Sequence, residues 1–181
     1  GSKDRTADVV REFSNQDSRI RLIQQPNGGS SNARNHGLRN ATGRYIALLD
    51  SDDLWDSNFL EEMICFMKEK NALVAQSSLR FIDENSKPIF KPYICRPLVT
   101  YNDMLVTDHV ACLSALYDTS KTNIVFLHEE MKSILDDYAY WLDVIRIAGP
   151  AYGNPKVLTS YRVMKTSVTG KKWKMVKYHF L

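Results

Sequence analysis

The sequence predicts an α/β protein whose mostly parallel sheet is flanked by helices, and three observations carry that prediction. Helical and strand-like patterns alternate along the chain, the arrangement that builds a parallel sheet covered on both faces. The run from Tyr45 to Leu49 is apolar without interruption, as suits a strand buried on both sides. It stops abruptly at Asp50, Asp52 and Asp53, and open α/β sheets bind ligands just beyond the carboxyl ends of their strands. At 181 residues the chain is long enough for one domain with a substantial core.

Taken in order, Asp4 to Ser14 carries Ala7, Val9, Val10 and Phe13 among charges and reads as an amphipathic helix, with Ser2 or Asp4 as its cap. Ile20 to Ile23 reads as a short strand stopped by Pro26, Asn27, Gly28 and Gly29. A second helix runs from Ser30 to Ala41, and Gly43 stands where a helix terminates. Gly28 and Gly29 before a helix amino end could cradle phosphate, although the Gly-Lys-Ser/Thr of a P-loop is missing. Beyond the acidic loop, Leu60, Met63, Ile64 and Met67 recur at helical spacing between Asn58 and Lys70, the methionines as core. Glu61 and Glu62 suit its first turn, Lys68 and Lys70 its last.

Ala72 to Ile82 is strand-like, Asp83 to Pro88 a turn, and Lys91 to Asn102 a long loop. Leu113 to Tyr117 is another strand, Ser133 to Ile147 a helix opened by Asp136 and Asp137, and Lys156 to Val163 a last strand. The tail, Lys171 to Leu181, is basic and aromatic, as in an amphipathic helix at a membrane surface. A solvated helix has the same pattern.

Composition narrows the function classes. A formal net charge of +3 with basic residues dispersed outside the tail argues against a nucleic-acid module. Cys65, Cys95 and Cys112 are odd in number and far apart, which fits free thiols in a reducing compartment. No stretch approaches the ~20 apolar residues of a membrane span, and Gly1 to Thr6 shows no signal-peptide pattern. The expected location is the cytoplasm, at the inner face of the membrane if the tail binds one.

Three carboxylates within four residues repel one another unless a cation sits among them. A hard ion, Mn²⁺ or Mg²⁺, usually fills that role and carries substrate phosphates on its remaining positions. The alternative is a plain strand-to-helix loop in which Asp56 or Ser57 caps the next helix. Asp136 and Asp137 have a similar second reading, since acids at a helix amino end are stabilised by its dipole.

In this order and spacing the pieces resemble a family 2 glycosyltransferase of the GT-A type, Rossmann-like, over nearly the whole chain. Gly1, Ser2, Asp4 and Thr6 are similar to the residues just after the family's first acidic pair. Asn27, Gly29, Ala33, Arg34, Asn35 and Gly37 resemble its next motif, and Gly43 to Trp55 its metal-binding Asp-x-Asp region. Asp136, Asp137 and Trp141 resemble its Glu-Asp motif, with Asp136 where the family usually has Glu, and Tyr161, Arg162 and Ser167 its closing segment. The resemblance implies that a first strand-helix-strand unit is lacking, so that 1–181 is a single incomplete domain. Exposed sheet edges would then favour a homo-dimer.

The activity so implied is inverting transfer from a nucleoside-diphosphate sugar, a UDP-sugar being favoured, to a hydroxyl of a glycan or lipid-linked acceptor in polysaccharide or glycolipid synthesis. The resemblance makes Asp137 the base and Asp52, with Asp53, the ligands of Mn²⁺ or Mg²⁺. Asp50, Arg34, Asn27 and Gly29 fall to the nucleotide. Tyr138 and Trp141 could stack on a sugar, Trp141 equally well in the core, and His128 could face the acceptor. A non-catalytic nucleotide-sugar binding or interaction fragment is the competing class, and a nucleotidylyltransferase a third.

Overall fold

The helical and apolar patterns become five α-helices and six β-strands among the residues described by the computed structural model, 1–131 and 135–164. The basic tail, Ser167 and the expected helix start at Ser133 lie outside those residues. The chain forms two compact units, Gly1–Thr42 with Phe126–Asp137, and Gly43–Val125 with Tyr138–Leu181.

The first unit contains α1 (Thr6–Gln16), α2 (Ser30–Arg39) and a 3₁₀ turn, Glu129–Met131. Arg5, and not Ser2 or Asp4, stands at the N-cap of α1 and makes no side-chain cap bond, while the Asp4 carboxylate just before it accepts the Thr6 N–H at 3.0 Å and hydroxyl at 2.6 Å. No residue of α1 is fully buried, and Val9 and Phe13 of its apolar face are exposed. Ile20 to Ile23, expected as a strand, is irregular because no strand among the described residues pairs with it. Helix α2 is rich in Ser and Asn, weak helix formers, and is anchored by its buried face, Ser31, Asn35 and Leu38.

The second unit is built on a sheet of β1 (Tyr45–Ala47), β2 (Leu54–Trp55), β3 (Val74–Ile82), β4 (Leu98–Val99), β5 (Ala115–Asp118) and β6 (Ala151–Arg162). Its order is β1-β5-β3-β6-β2, with β4 also on β6. The expected mostly parallel sheet is mixed instead. One pairing, β3 with β6, is parallel, and the other four are antiparallel. Strand β5 accounts for two of these, because it runs reversed between β1 and β3, which point the same way, and the short β2 and β4 run reversed on β6 to make the other two. Continuous apolar runs report burial on both faces and say nothing of direction. The sheet residues β2 and β4 were hidden in the sequence by their length, two residues each.

Helix α3 (Phe59–Lys70) covers one face, burying Phe59, Met63 and Met67 against Ala75, Leu116 and Leu158. Leu60 stays exposed, so the apolar stripe is rotated toward Phe59, which stacks on Trp55 at 4.6 Å. Asn71, in the left-handed region at φ 49°, ends the helix. A short helix, α4 (Tyr101–Val106), stands at the end of the expected loop and is closed by a Thr100–Asp103 capping box. Helix α5 (Asp136–Ala148) sets Tyr140 and Trp141 edge-on against Tyr117, whose neighbour Leu116 faces α3. Successive strand residues alternate faces, so α3 and α5 lie on opposite sides of the sheet. Gly153 has no room for a side chain: a Cβ there would meet the Arg96 carbonyl at 2.0 Å.

Candidate functional site

Strand β1 ends at Ala47 and delivers the chain into the acidic loop. Asp53 N–H returns to the Asp50 carbonyl at 3.1 Å, closing a tight turn. The three acids then have different fates. Asp50 and Asp52 are exposed, whereas Asp53 is 8% exposed and accepts the Arg162 N–H on Oδ1 at 2.8 Å. Arg162 Nε donates to the Asp52 carbonyl at 2.7 Å, so the end of β6 holds the loop. Asp56 meets the guanidinium of Arg80 and its N–H bonds the Leu158 carbonyl, while Asn58 stands at the cap of α3.

Two exposed carboxylates within one turn fit a hard divalent ion whose other positions belong to phosphate and water. An all-protein cage is a different matter, since no group of three or more His, Cys, Asp or Glu among the described residues could hold a metal ion. Asp53 fits an ion less well than Asp52 does, because one of its oxygens already accepts a backbone N–H inside the protein.

In the first unit, Asn27 and Gly29 make the turn into α2. Asn27 Oδ1 accepts the Gly29 N–H at 3.2 Å, and Gly29 sits at φ 89°, a conformation side chains other than hydrogen rarely adopt. The amide expected to cradle phosphate is thus donated to Asn27. Arg34 lies against Asp136, Nη1 to Oδ2 at 3.3 Å, with side chains only 17% and 6% exposed. Ser31 and Ser30 hydroxyls donate to the same oxygen at 2.7 and 3.2 Å. Asp136 is therefore an anchored acid, and the half-buried Asp137 next to it is held at the helix start by that anchor.

A second acid cluster was invisible in the sequence. Glu129 accepts from Asn32 at 2.8 Å, Asn35 at 2.9 Å and Arg39 at 3.1 Å. Those donors, Asn35 foremost, hold its carboxyl down at about 2. Asn35 also clasps Leu127, accepting its N–H at 2.8 Å and donating to its carbonyl at 2.9 Å. The partners are 90 or more residues apart in sequence, and the only local hint is the Asn content of α2.

Other expected contacts resolve as structure. Trp141 is fully buried among Tyr117 and Tyr140, so the core reading holds and a sugar cannot stack on it. The Tyr138 hydroxyl donates to the Met104 carbonyl. His128 lies near Glu130 at 3.2 Å. All three cysteines are free thiols. No helix among the described residues is long and apolar enough to cross a membrane.

Over 97% of its length the chain is 31% identical to a Bacillus subtilis (strain 168) protein named for teichuronic acid biosynthesis, the glycosyltransferase TuaG. It is 34% identical, again over 97%, to the Escherichia coli UDP-Glc:alpha-D-GlcNAc-diphosphoundecaprenol beta-1,3-glucosyltransferase WfgD. These matches span 69% and 68% of the two relatives. Among solved structures, Staphylococcus aureus TarS 1–349 in complex with UDP superposes with a TM-score of 0.68 at 21% identity, over 91% of this chain and 49% of that one. The complex with UDP-GlcNAc gives 0.67 at 20% identity, covering 92% and 48%. The chain thus spans about half of that fragment, and the likeness confirms the GT-A type of α/β fold. The family model for glycosyl transferase family 2 matches residues 1–131, and the chain belongs to that family.

Proposed function

We propose that the protein transfers a sugar from a UDP-sugar to a hydroxyl of a lipid-linked glycan, with inversion at the anomeric carbon, in the synthesis of a cell-surface polysaccharide. The observation that carries this reading is the acidic loop after β1, which presents Asp50 and Asp52 to solvent while its backbone is fixed. Support for the donor comes from a relative named for UDP-Glc and from fold neighbours that hold UDP and UDP-GlcNAc. Support for the acceptor comes from the diphosphoundecaprenol in the name of the same relative.

In this reading the Asp52 carboxylate holds Mn²⁺ or Mg²⁺ and Asp50 orients the donor ribose. The ion, when bound, neutralises the charge that builds on the departing diphosphate. Asp137 takes the proton of the acceptor hydroxyl as it attacks the anomeric carbon from the face opposite the diphosphate. A single displacement needs one base and no protein nucleophile. Arg34, expected on the nucleotide, is read here as acting through Asp136, which it pairs with. Asn27 and Gly29 shape the turn that starts α2.

The test is calorimetric titration of the intact protein with UDP and then GDP, with and without Mn²⁺. Transfer from UDP-glucose to a diphosphoundecaprenol-linked GlcNAc is measured next, with the product's anomeric configuration read by NMR. Metal-dependent UDP binding and an inverted product are expected. Binding without transfer would leave a nucleotide-sugar binding module, and no UDP binding would remove the reading altogether.

A further inference from the structure

We infer that Arg162 and Asp53 form a clamp that places the Asp52 carboxylate, so that Arg162 is a positioning residue and Asp53 a structural acid rather than a ligand of the ion. The inference rests on the proposed donor site and refines it.

Arg162 is the last residue of β6, and its side chain, among the described residues, reaches the acidic loop and the turn after β3. Its backbone N–H is received by the buried Asp53 carboxylate at 2.8 Å, and its Nε by the Asp52 carbonyl at 2.7 Å. Nη1 donates to the Asp83 carbonyl at 2.8 Å, to Ser86 Oγ at 3.1 Å and to the Glu84 carbonyl at 3.3 Å. All of these side-chain acceptors are neutral oxygens. A full positive charge is therefore placed on backbone carbonyls beside a loop that carries three carboxylates.

That geometry has two consequences. The planar guanidinium presents several donors in a fixed fork, so one side chain fixes the Asp52 backbone and the Asp83–Ser86 turn together. Its charge also offsets the repulsion among Asp50, Asp52 and Asp53. Asp53 has a different task. A buried backbone N–H or carboxylate left without a partner is costly, and each satisfies the other. An asparagine at 53 keeps the accepting oxygen and loses only the charge, whereas an alanine removes both.

The experiment monitors Mn²⁺ binding to the intact protein in the presence of UDP by electron paramagnetic resonance, alongside donor KM, kcat and thermal melting. Arg162→Ala should weaken Mn²⁺ binding and raise donor KM by about tenfold, roughly one hydrogen-bonded charge's worth, with a smaller change in kcat. Arg162→Lys, a single point charge, should fall between Arg162→Ala and the parent. Asp53→Asn should bind Mn²⁺ about tenfold more tightly than Asp53→Ala. If Asp53→Asn and Asp53→Ala both lost Mn²⁺ as Asp52→Ala does, Asp53 would be a ligand and the clamp overturned. Unchanged Mn²⁺ binding in Arg162→Lys and Arg162→Ala would also overturn it, and because the lysine variant keeps the charge and most of the bulk, that result can be read even if the alanine variant fails to fold. A parent protein that bound no UDP with Mn²⁺ would overturn the donor-site reading instead.

Discussion

The acids of the two units are treated in opposite ways. In the first unit Glu129 and Asp136 each receive several donors: Asn32, Asn35 and Arg39 on the one, Ser30, Ser31 and Arg34 on the other. In the second, Asp50 and Asp52 stand exposed at the end of β1, and their loop is held through its backbone and through Asp53. A carboxylate whose lone pairs are filled by protein donors is fixed in charge and place, which suits architecture. One presented to solvent on a fixed backbone can be reached by a ligand. Acidity in a sequence therefore says little until the donors around each acid are counted.

The dipeptide Asp136-Asp137 is where that contrast can be broken most sharply, since its two acids are neighbours with different surroundings. Asp137→Asn should leave UDP binding nearly intact and cut transfer by about a thousandfold, the usual worth of a positioned base. Turnover at the parent rate in steady-state kinetics would remove Asp137 from the mechanism. Asp136→Ala should do something else. It removes the buried acceptor that Arg34, Ser30 and Ser31 share and should destabilise the protein by about 3 kcal/mol, read from urea unfolding. A variant at 136 that lost transfer while keeping full stability would move the base from 137 to 136.

Much of the fold was legible because it is written locally. The helical spacing of Met63 and Met67 and the strand from Val74 report burial, and burial was observed, whereas the apolar run at Tyr45 becomes a strand of three residues in which Ile46 is buried, and Leu49 beyond it is exposed. Direction was not legible, because β5 is as apolar as its neighbours and nothing in Ala115–Asp118 says which way it runs. Ile20 to Ile23 misled for a related reason: a strand is a pairing, and a single apolar segment carries no information about its partner. At the site, the acidic loop and Asp137 were visible as clusters of one residue type. The clamp through Arg162 was not, since it joins residues 109 and 110 positions apart, and neither was the Glu129 cluster. The resemblance to a known family singled out Arg34 and Asn35. It could not say that both look inward, toward Asp136 and Leu127.

The same contrast predicts a smaller, pH-dependent effect at an acid of the second unit that is tied down like those of the first. Asp118, the last residue of β5, has a side chain only 5% exposed and accepts from Arg44 at 2.7 and 3.0 Å and from the Ser120 N–H at 2.8 Å. Arg44 above all lowers its carboxyl from 3.8 to about 2. A folded-state value below the unfolded one stabilises the fold above the unfolded pKa, and that contribution is lost as pH falls from 3.8 through about 2. Arg44 is 62% exposed, so solvent screens the pair and the contribution is about 1–2 kcal/mol. Asp118→Asn should therefore be less stable than the parent by that amount above about pH 5, with the gap closing as pH drops toward 2. Urea unfolding at a series of pH values reads it directly. A gap that stayed constant down to the lowest pH would mean that the hydrogen bonds, and not the charge, hold the end of β5. Asp118 would then resemble Glu129, whose low carboxyl depends on neutral amides as much as on an arginine, in the source of its stability though not in its place in the fold.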